Sequence, residues 1–65
     1  MYYLKIESEK DGQTKTYEYP AGFESEDSVI DYIKSLIRVF PKKHEGSRFY
    51  ISQDKSNWKE VEVQV

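Results

Sequence analysis

The residues in this chain with chemistry to offer are one histidine, twelve carboxylates and a short run of bases. His44 stands alone, with no cysteine and no second histidine to complete a metal site or a catalytic pair. It lies between Lys43 and Glu45, the setting of a solvated loop. Glu24, Glu26, Asp27 and Asp31 gather at the start and outer face of an expected helix, where the macrodipole accounts for them. The serines are scattered and form no Ser-His-acid set. Gly12, Gly22 and Gly46 fall at three separate turns, so no glycine-rich loop exists to cradle a phosphate. The expectation is therefore no enzyme, no catalytic residue, no cofactor and no metal.

Two constellations suit binding instead. Arg38, Lys42, Lys43 and Arg48 could meet a phosphate or a nucleic acid. Against that stands the net charge of −2, the wrong sign for a strong electrostatic footprint on nucleic acid. The charge is unevenly spread. Three lysines face eight acids up to Asp31, and seven bases face four acids from Tyr32 onward. The second constellation is aromatic. It needs the strands to be placed first.

The element that must position everything is the stretch from Glu24 to Phe40. Val29, Ile33, Leu36 and Phe40 recur at helical spacing, flanked by Ile30 and Ile37 on one side and by Tyr32 and Val39 on the other. Ser25 is the expected N-cap, with Glu26 and Asp27 in the first turn. Pro41 stops the helix and draws Phe40 out of αR while Phe40 still covers the core. This is the one helix-length periodic run in 65 residues, so the core must be built on it.

Strands flank the helix. Tyr2, Leu4 and Ile6 alternate with Tyr3, Lys5 and Glu7, the pattern of a half-buried strand. Asp11-Gly12 marks a two-residue hairpin, which sets Lys10 against Gln13, Ile6 against Tyr17 and Leu4 against Tyr19. Pro20-Ala21-Gly22 ends the return strand, and Phe23 is expected under the helix start. Arg48 to Gln53 forms a third strand with Phe49 and Ile51 on one face. Trp58 to Val65 forms a fourth with Val61, Val63 and Val65 on one face. Pairing Asp54 with Trp58 puts these residues together and leaves Lys55-Ser56-Asn57 as a loop, with Asn57 in αL. The helix is then expected to cover Leu4, Ile6, Tyr17, Phe49, Ile51, Val61 and Val63.

The order β-β-α-β-β over residues 1–65 implies a single small α+β domain. The expected sheet is four-stranded and mixed, in the order 2-1-4-3, with the first and last strands parallel in the middle and the helix on one face. This layout resembles the immunoglobulin-binding domains of protein G and, more loosely, the β-grasp group. The resemblance rests on the order and length of elements, and implies a fold rather than an activity. The run Ser52-Gln53-Asp54-Lys55-Ser56-Asn57-Trp58 resembles the Asp-box of sialidases and other β-propellers. Here the Trp arrives one residue early and Ser56 replaces the usual Gly. That resemblance implies a hairpin-stabilising device.

With the helix on one face, Tyr3, Lys5, Thr16, Glu18, Arg48, Tyr50, Trp58 and Glu60 remain on the other. In the expected order Tyr3 and Tyr50 lie two strands apart. The candidate protein interface is Tyr3, Tyr50 and Trp58 on this outer face, with Tyr32 and Val39 at the helix margin. No apolar run reaches the roughly 20 residues of a membrane span, and the N-terminus lacks a signal-peptide pattern. A cytoplasmic location without membrane contact is expected. The functional expectation is a non-enzymatic protein-interaction module with an unidentified protein partner. Phage- or mobile-element-encoded inhibitors of host or defence proteins are one such class. The alternative is a nucleotide or nucleic-acid binding domain that uses the basic residues and sheet aromatics. The second alternative is a structural oligomerising domain, with a homodimer as its simplest form.

Overall fold

The computed structural model describes residues 1–63. The element order is β1 (Tyr3–Lys10), β2 (Gln13–Glu18), α1 (Glu26–Val39), β3 (Arg48–Ser52) and β4 (Lys59–Val61). The α+β class and the order of elements are as the sequence implies. The first hairpin also keeps the register set by its turn: Lys10 pairs with Gln13 and Ile6 with Tyr17, while Tyr19 N–H donates to the Leu4 carbonyl at 2.9 Å. Asp11 and Gly12 both adopt positive φ, 54° and 78°, which is the type I′ geometry that matches strand twist. Past Pro20 the chain pairs once more just ahead of β1, where Tyr2 and Phe23 exchange backbone bonds of 2.8 and 2.7 Å.

The sheet order is 2-1-3-4, not 2-1-4-3, and every neighbouring pair is antiparallel. The mixed sheet with a central parallel pair of β1 and β4, on which the protein-G-like layout depended, is corrected by this order. β1 lies against β3, with Leu4 opposite Ile51 and Ile6 opposite Phe49. The physical reason is burial. Those four residues are all buried, and strands carrying such pairs gain most from the middle of the sheet. β4 spans three residues, none of them buried, and takes an edge. Because β2 and β3 both run antiparallel to β1, they run the same way on its two sides, and α1 connects them across it.

The helix starts where its cap dictates: Ser28 N–H donates to Ser25 Oγ at 3.1 Å, and Glu26 and Asp27 occupy the first turn. It stops at Phe40, whose N–H reaches the Leu36 carbonyl at 2.9 Å and whose backbone (φ −127°, ψ 64°) has left the helix before Pro41. Val29 and Ile33 are fully buried and meet Leu4, Ile6, Phe49 and Ile51 in one core cluster. Tyr2, Tyr19, Phe23, Ile30, Tyr32, Leu36, Ile37, Val61 and Val63 pack around that cluster half-buried. Two expected core residues are not in it. Tyr17 is 54% exposed and Phe40 51% exposed. The helix packs against β3, so its buried stripe lies over the middle of the sheet and leaves edge strand β2 uncovered. Phe40, out of the helix, no longer follows the stripe.

The second hairpin differs in register. Phe49 pairs with Val61, Tyr50 with Glu60 and Ile51 with Lys59, so Asp54 and Trp58 do not pair. The shift is two residues, which preserves the faces and leaves a longer loop. The left-handed residue in that loop is Lys55 (φ 62°) instead of Asn57. The cause is the loop's own bonding: Ser52 Oγ takes the N–H groups of Asp54 and Lys55, and the Asp54 carboxylate takes those of Ser56 and Asn57, so these donors are not free to extend a ladder. Of the strand expected from Trp58 to Val65, β4 keeps Lys59–Val61, and Gln64 and Val65 lie outside the described residues.

Candidate functional site

Beside β2 the sheet and helix leave a groove of about 390 Å³. Ile6 and Tyr17 contribute from the sheet, Tyr32 and Leu36 from the helix, and Phe40, Lys43 and His44 from the chain beyond it. The aromatic wall is built by packing: Tyr19, Phe23 and Tyr32 sit with ring centroids 5.0–5.6 Å apart, and Tyr19 meets Tyr32 edge-on. Burial, and then the neighbouring Tyr19, push the Tyr32 phenol above its ordinary range. At the groove's far end Lys43 Nζ stands 5.8 Å from the Phe40 ring. The His44 ring lies 6.1 Å from that of Phe49, with Nδ1 buried and unpartnered among the described residues. Burial first, and Lys43 second, hold the His44 imidazole below its usual pKa. Val39 lies two turns on from Tyr32, on the same face of α1, and is 64% exposed.

Tyr32 and Val39 of the expected interface therefore belong to this side of the molecule. Tyr17 and Phe40 join them and were missed, because alternation and helical period assigned both to the core. The available signals were the position of Tyr17 on an edge strand and of Phe40 directly before a proline.

Tyr3, Tyr50 and Trp58 form a separate group on the outer sheet face. The revised order brings Tyr3 and Tyr50 onto adjacent strands, where Lys5 pairs with Tyr50 and Tyr3 with Ser52. Lys5 Nζ lies 5.2 Å from the Tyr50 ring and 4.5 Å from the Trp58 ring, and Lys55 Nζ lies 4.6 Å from Tyr3. These aromatics are half-buried by one another and by lysine stems. Lys5→Ala is expected to lower stability by about 1 kcal/mol, from contacts worth about 0.5–1 kcal/mol each. It should also change the emission of Trp58, the sole tryptophan. Unchanged emission and melting would show that the stack does not form.

The basic residues are spread over several elements. Lys43 belongs to the groove, whereas Arg48 lies on β3 opposite Glu7. A hydrogen bond to Tyr50, then Glu60 and Glu7, raise the pKa of the exposed Arg48. Arg38 closes the helix as a favourable last-turn base, and Lys42 is exposed in the turn that follows.

Asp54 is the hub of the β3–β4 loop. Its Oδ1 accepts from Ser52 Oγ, Ser56 N–H and Asn57 N–H, each at 2.9 Å, and Oδ2 accepts from Asn57 Nδ2 at 3.0 Å. Ser52 Oγ in turn accepts from the N–H groups of Asp54 and Lys55 at 3.2 and 2.9 Å. The Asn57 and Ser56 amides, followed by Ser52, hold the carboxyl far below the usual carboxylate range. The folded pKa is depressed, so this stabilisation is complete above the unfolded value of about 3.9 and is lost as pH falls below it. Asp54→Asn keeps an oxygen acceptor without the charge. The expected outcome is lower stability at pH 7 and a shallower loss of stability between about pH 4 and 2 than the parent shows, read by urea melts. Parallel acid profiles would assign the effect elsewhere.

Among the described residues, no three His, Cys, Asp or Glu side chains converge to hold a metal ion, and no helix is long and apolar enough to cross a membrane. No protein-family model, no curated protein and no solved structure matches the chain.

Proposed function

We propose that this chain is a non-enzymatic protein-interaction module that holds its partner on the aromatic surface of Tyr17, Tyr32, Val39 and Phe40. One observation carries the reading: Tyr17, Val39 and Phe40 are each more than half exposed, while six apolar residues are buried in the core among the described residues. A domain this small gains from every apolar side chain it can bury. Leaving Tyr17 and Phe40 exposed around a groove with aromatic walls, with Val39 two helical turns on from Tyr32, fits a surface that a partner completes. The partner is a protein rather than a small metabolite, because the exposed side chains extend beyond the groove onto the exposed strand β2. The module would act by blocking or bridging that protein, the mode of an inhibitor encoded by a phage or mobile element against a host or defence protein.

The test is affinity capture from a bacterial lysate, with the parent chain and with Val39→Ala combined with Phe40→Ala. Both changes lie outside the core, so circular dichroism should be unchanged. A partner retained by the parent and lost by the variant supports the reading. A partner held equally by both, or none at all, sinks it.

A further inference from the structure

β2 is an unpartnered edge, and its open amides can be assigned. The Asp11-Gly12 turn closes on the pair Lys10 and Gln13, and Tyr19 N–H donates to the Leu4 carbonyl. Antiparallel ladders alternate, so Gln13, Lys15, Tyr17 and Tyr19 direct their backbone groups at β1. Thr14, Thr16 and Glu18 therefore direct theirs outward. All six residues of β2 are exposed, and no helix or loop covers this edge among the described residues.

We infer that the edge is closed by a second copy of this chain, β2 against β2, antiparallel about a two-fold axis at Thr16. Side-chain and backbone complementarity select this register from its neighbours. Pairing Thr14 with Thr16 of the other copy sets Lys15 directly against Lys15, and like charges so placed repel. Sliding two residues the other way brings Thr14 opposite Pro20, which has no N–H to give. Only with Thr16 opposite Thr16 do Thr14 and Glu18 pair with each other, so that all three open residues bond across the seam. Lys15 then faces Tyr17 of the second copy, its stem along a ring that is 54% exposed in the single chain. A lysine mid-edge normally guards against pairing. Here it excludes the wrong register and has a place in the right one.

The axis is normal to the sheet, so both helices lie on the same face of a continuous eight-stranded sheet and the two grooves open towards each other over the seam. This inference rests on the interaction-module reading and deepens it by naming one partner. It takes Tyr17 into the seam and leaves Tyr32, Val39 and Phe40 for another.

The experiment is light scattering of the purified chain across a concentration series, with hydrogen exchange of the Thr16 amide. The parent should run at twice the chain mass and protect Thr16 increasingly with concentration. Thr16→Pro removes only an outward N–H and leaves the β1–β2 ladder intact, so it should be monomeric with an unchanged circular dichroism spectrum. If the proline distorts β2, Lys15→Glu with Tyr17→Lys serves instead: it sets a glutamate against a lysine and should remain dimeric, whereas Tyr17→Lys alone sets lysine against lysine and should be monomeric. A parent monomeric up to about 1 mM, the weak end of measurable association, overturns the inference. So does a dimer that survives Thr16→Pro or leaves Thr16 unprotected. Failure of the aromatic-surface reading shows separately, as capture insensitive to Val39 and Phe40.

Discussion

Ile33→Ala leaves the chain largely unfolded at 25 °C. Ile33 is fully buried at the centre of α1 and belongs to a core cluster of six apolar residues, with Leu4, Ile6, Val29, Phe49 and Ile51. Truncating an isoleucine in such a place typically costs about 2–5 kcal/mol, part lost transfer energy and part the cavity left behind. A single core in a chain of this length rarely supplies more than about 3–5 kcal/mol. With no cysteine there is no disulfide to hold the fold while the core relaxes. The two quantities are of equal size, so the folded fraction should collapse. Urea or thermal melts followed by far-ultraviolet circular dichroism provide the measurement. A cooperative transition shifted by less than about 1 kcal/mol would mean that Ile33 is not where the core is centred.

Phe40→Ala should do the opposite, costing the fold little and binding a great deal. Phe40 is half exposed and its backbone bond to Leu36 does not depend on the side chain. Surface changes of this kind generally stay within about 0.5 kcal/mol of the parent. An aromatic anchor at the centre of a protein interface is worth about 2 kcal/mol or more on truncation, or roughly a 30-fold loss of affinity. Titration calorimetry with the captured partner, beside a melt of the free variant, separates the two quantities. A melt lowered by about 2 kcal/mol with binding intact would return Phe40 to the core, where helical periodicity had put it.

The local parts of this fold were legible because short-range chemistry determines them. Asp11-Gly12 allows one turn type, which sets the register of β1 on β2 residue by residue. Ser25 and Pro41 bracket the helix for equally local reasons. Strand neighbours were not legible. Alternation says which face Leu4 and Phe49 share, but not whether β3 or β4 lies against β1. Both choices satisfy the same faces, and the burial of Leu4, Ile6, Phe49 and Ile51 decides between them. The β4 register failed for a different reason. Asp54 could have ended a ladder, but four hydrogen bonds inside its own loop outcompete that role. The groove was half legible. Tyr32 and Val39 stood out at the margin of the helical stripe, while Tyr17 and Phe40 satisfied a core pattern that tertiary packing did not honour.

The place of β1 between β2 and β3 also orders events in time. Its bonds to β2 close across two residues and can form almost at once, on the scale of about 1–10 μs for a hairpin. Its bonds to β3 join Leu4 to Ile51 and must wait for the helix and everything else between them. During synthesis β1 is therefore made early and stands with one flank open until Arg48–Ser52 has left the ribosome. Leu4 and Ile6 remain without their Ile51 and Phe49 partners throughout that interval. The early half of this small domain is the part a chaperone would meet.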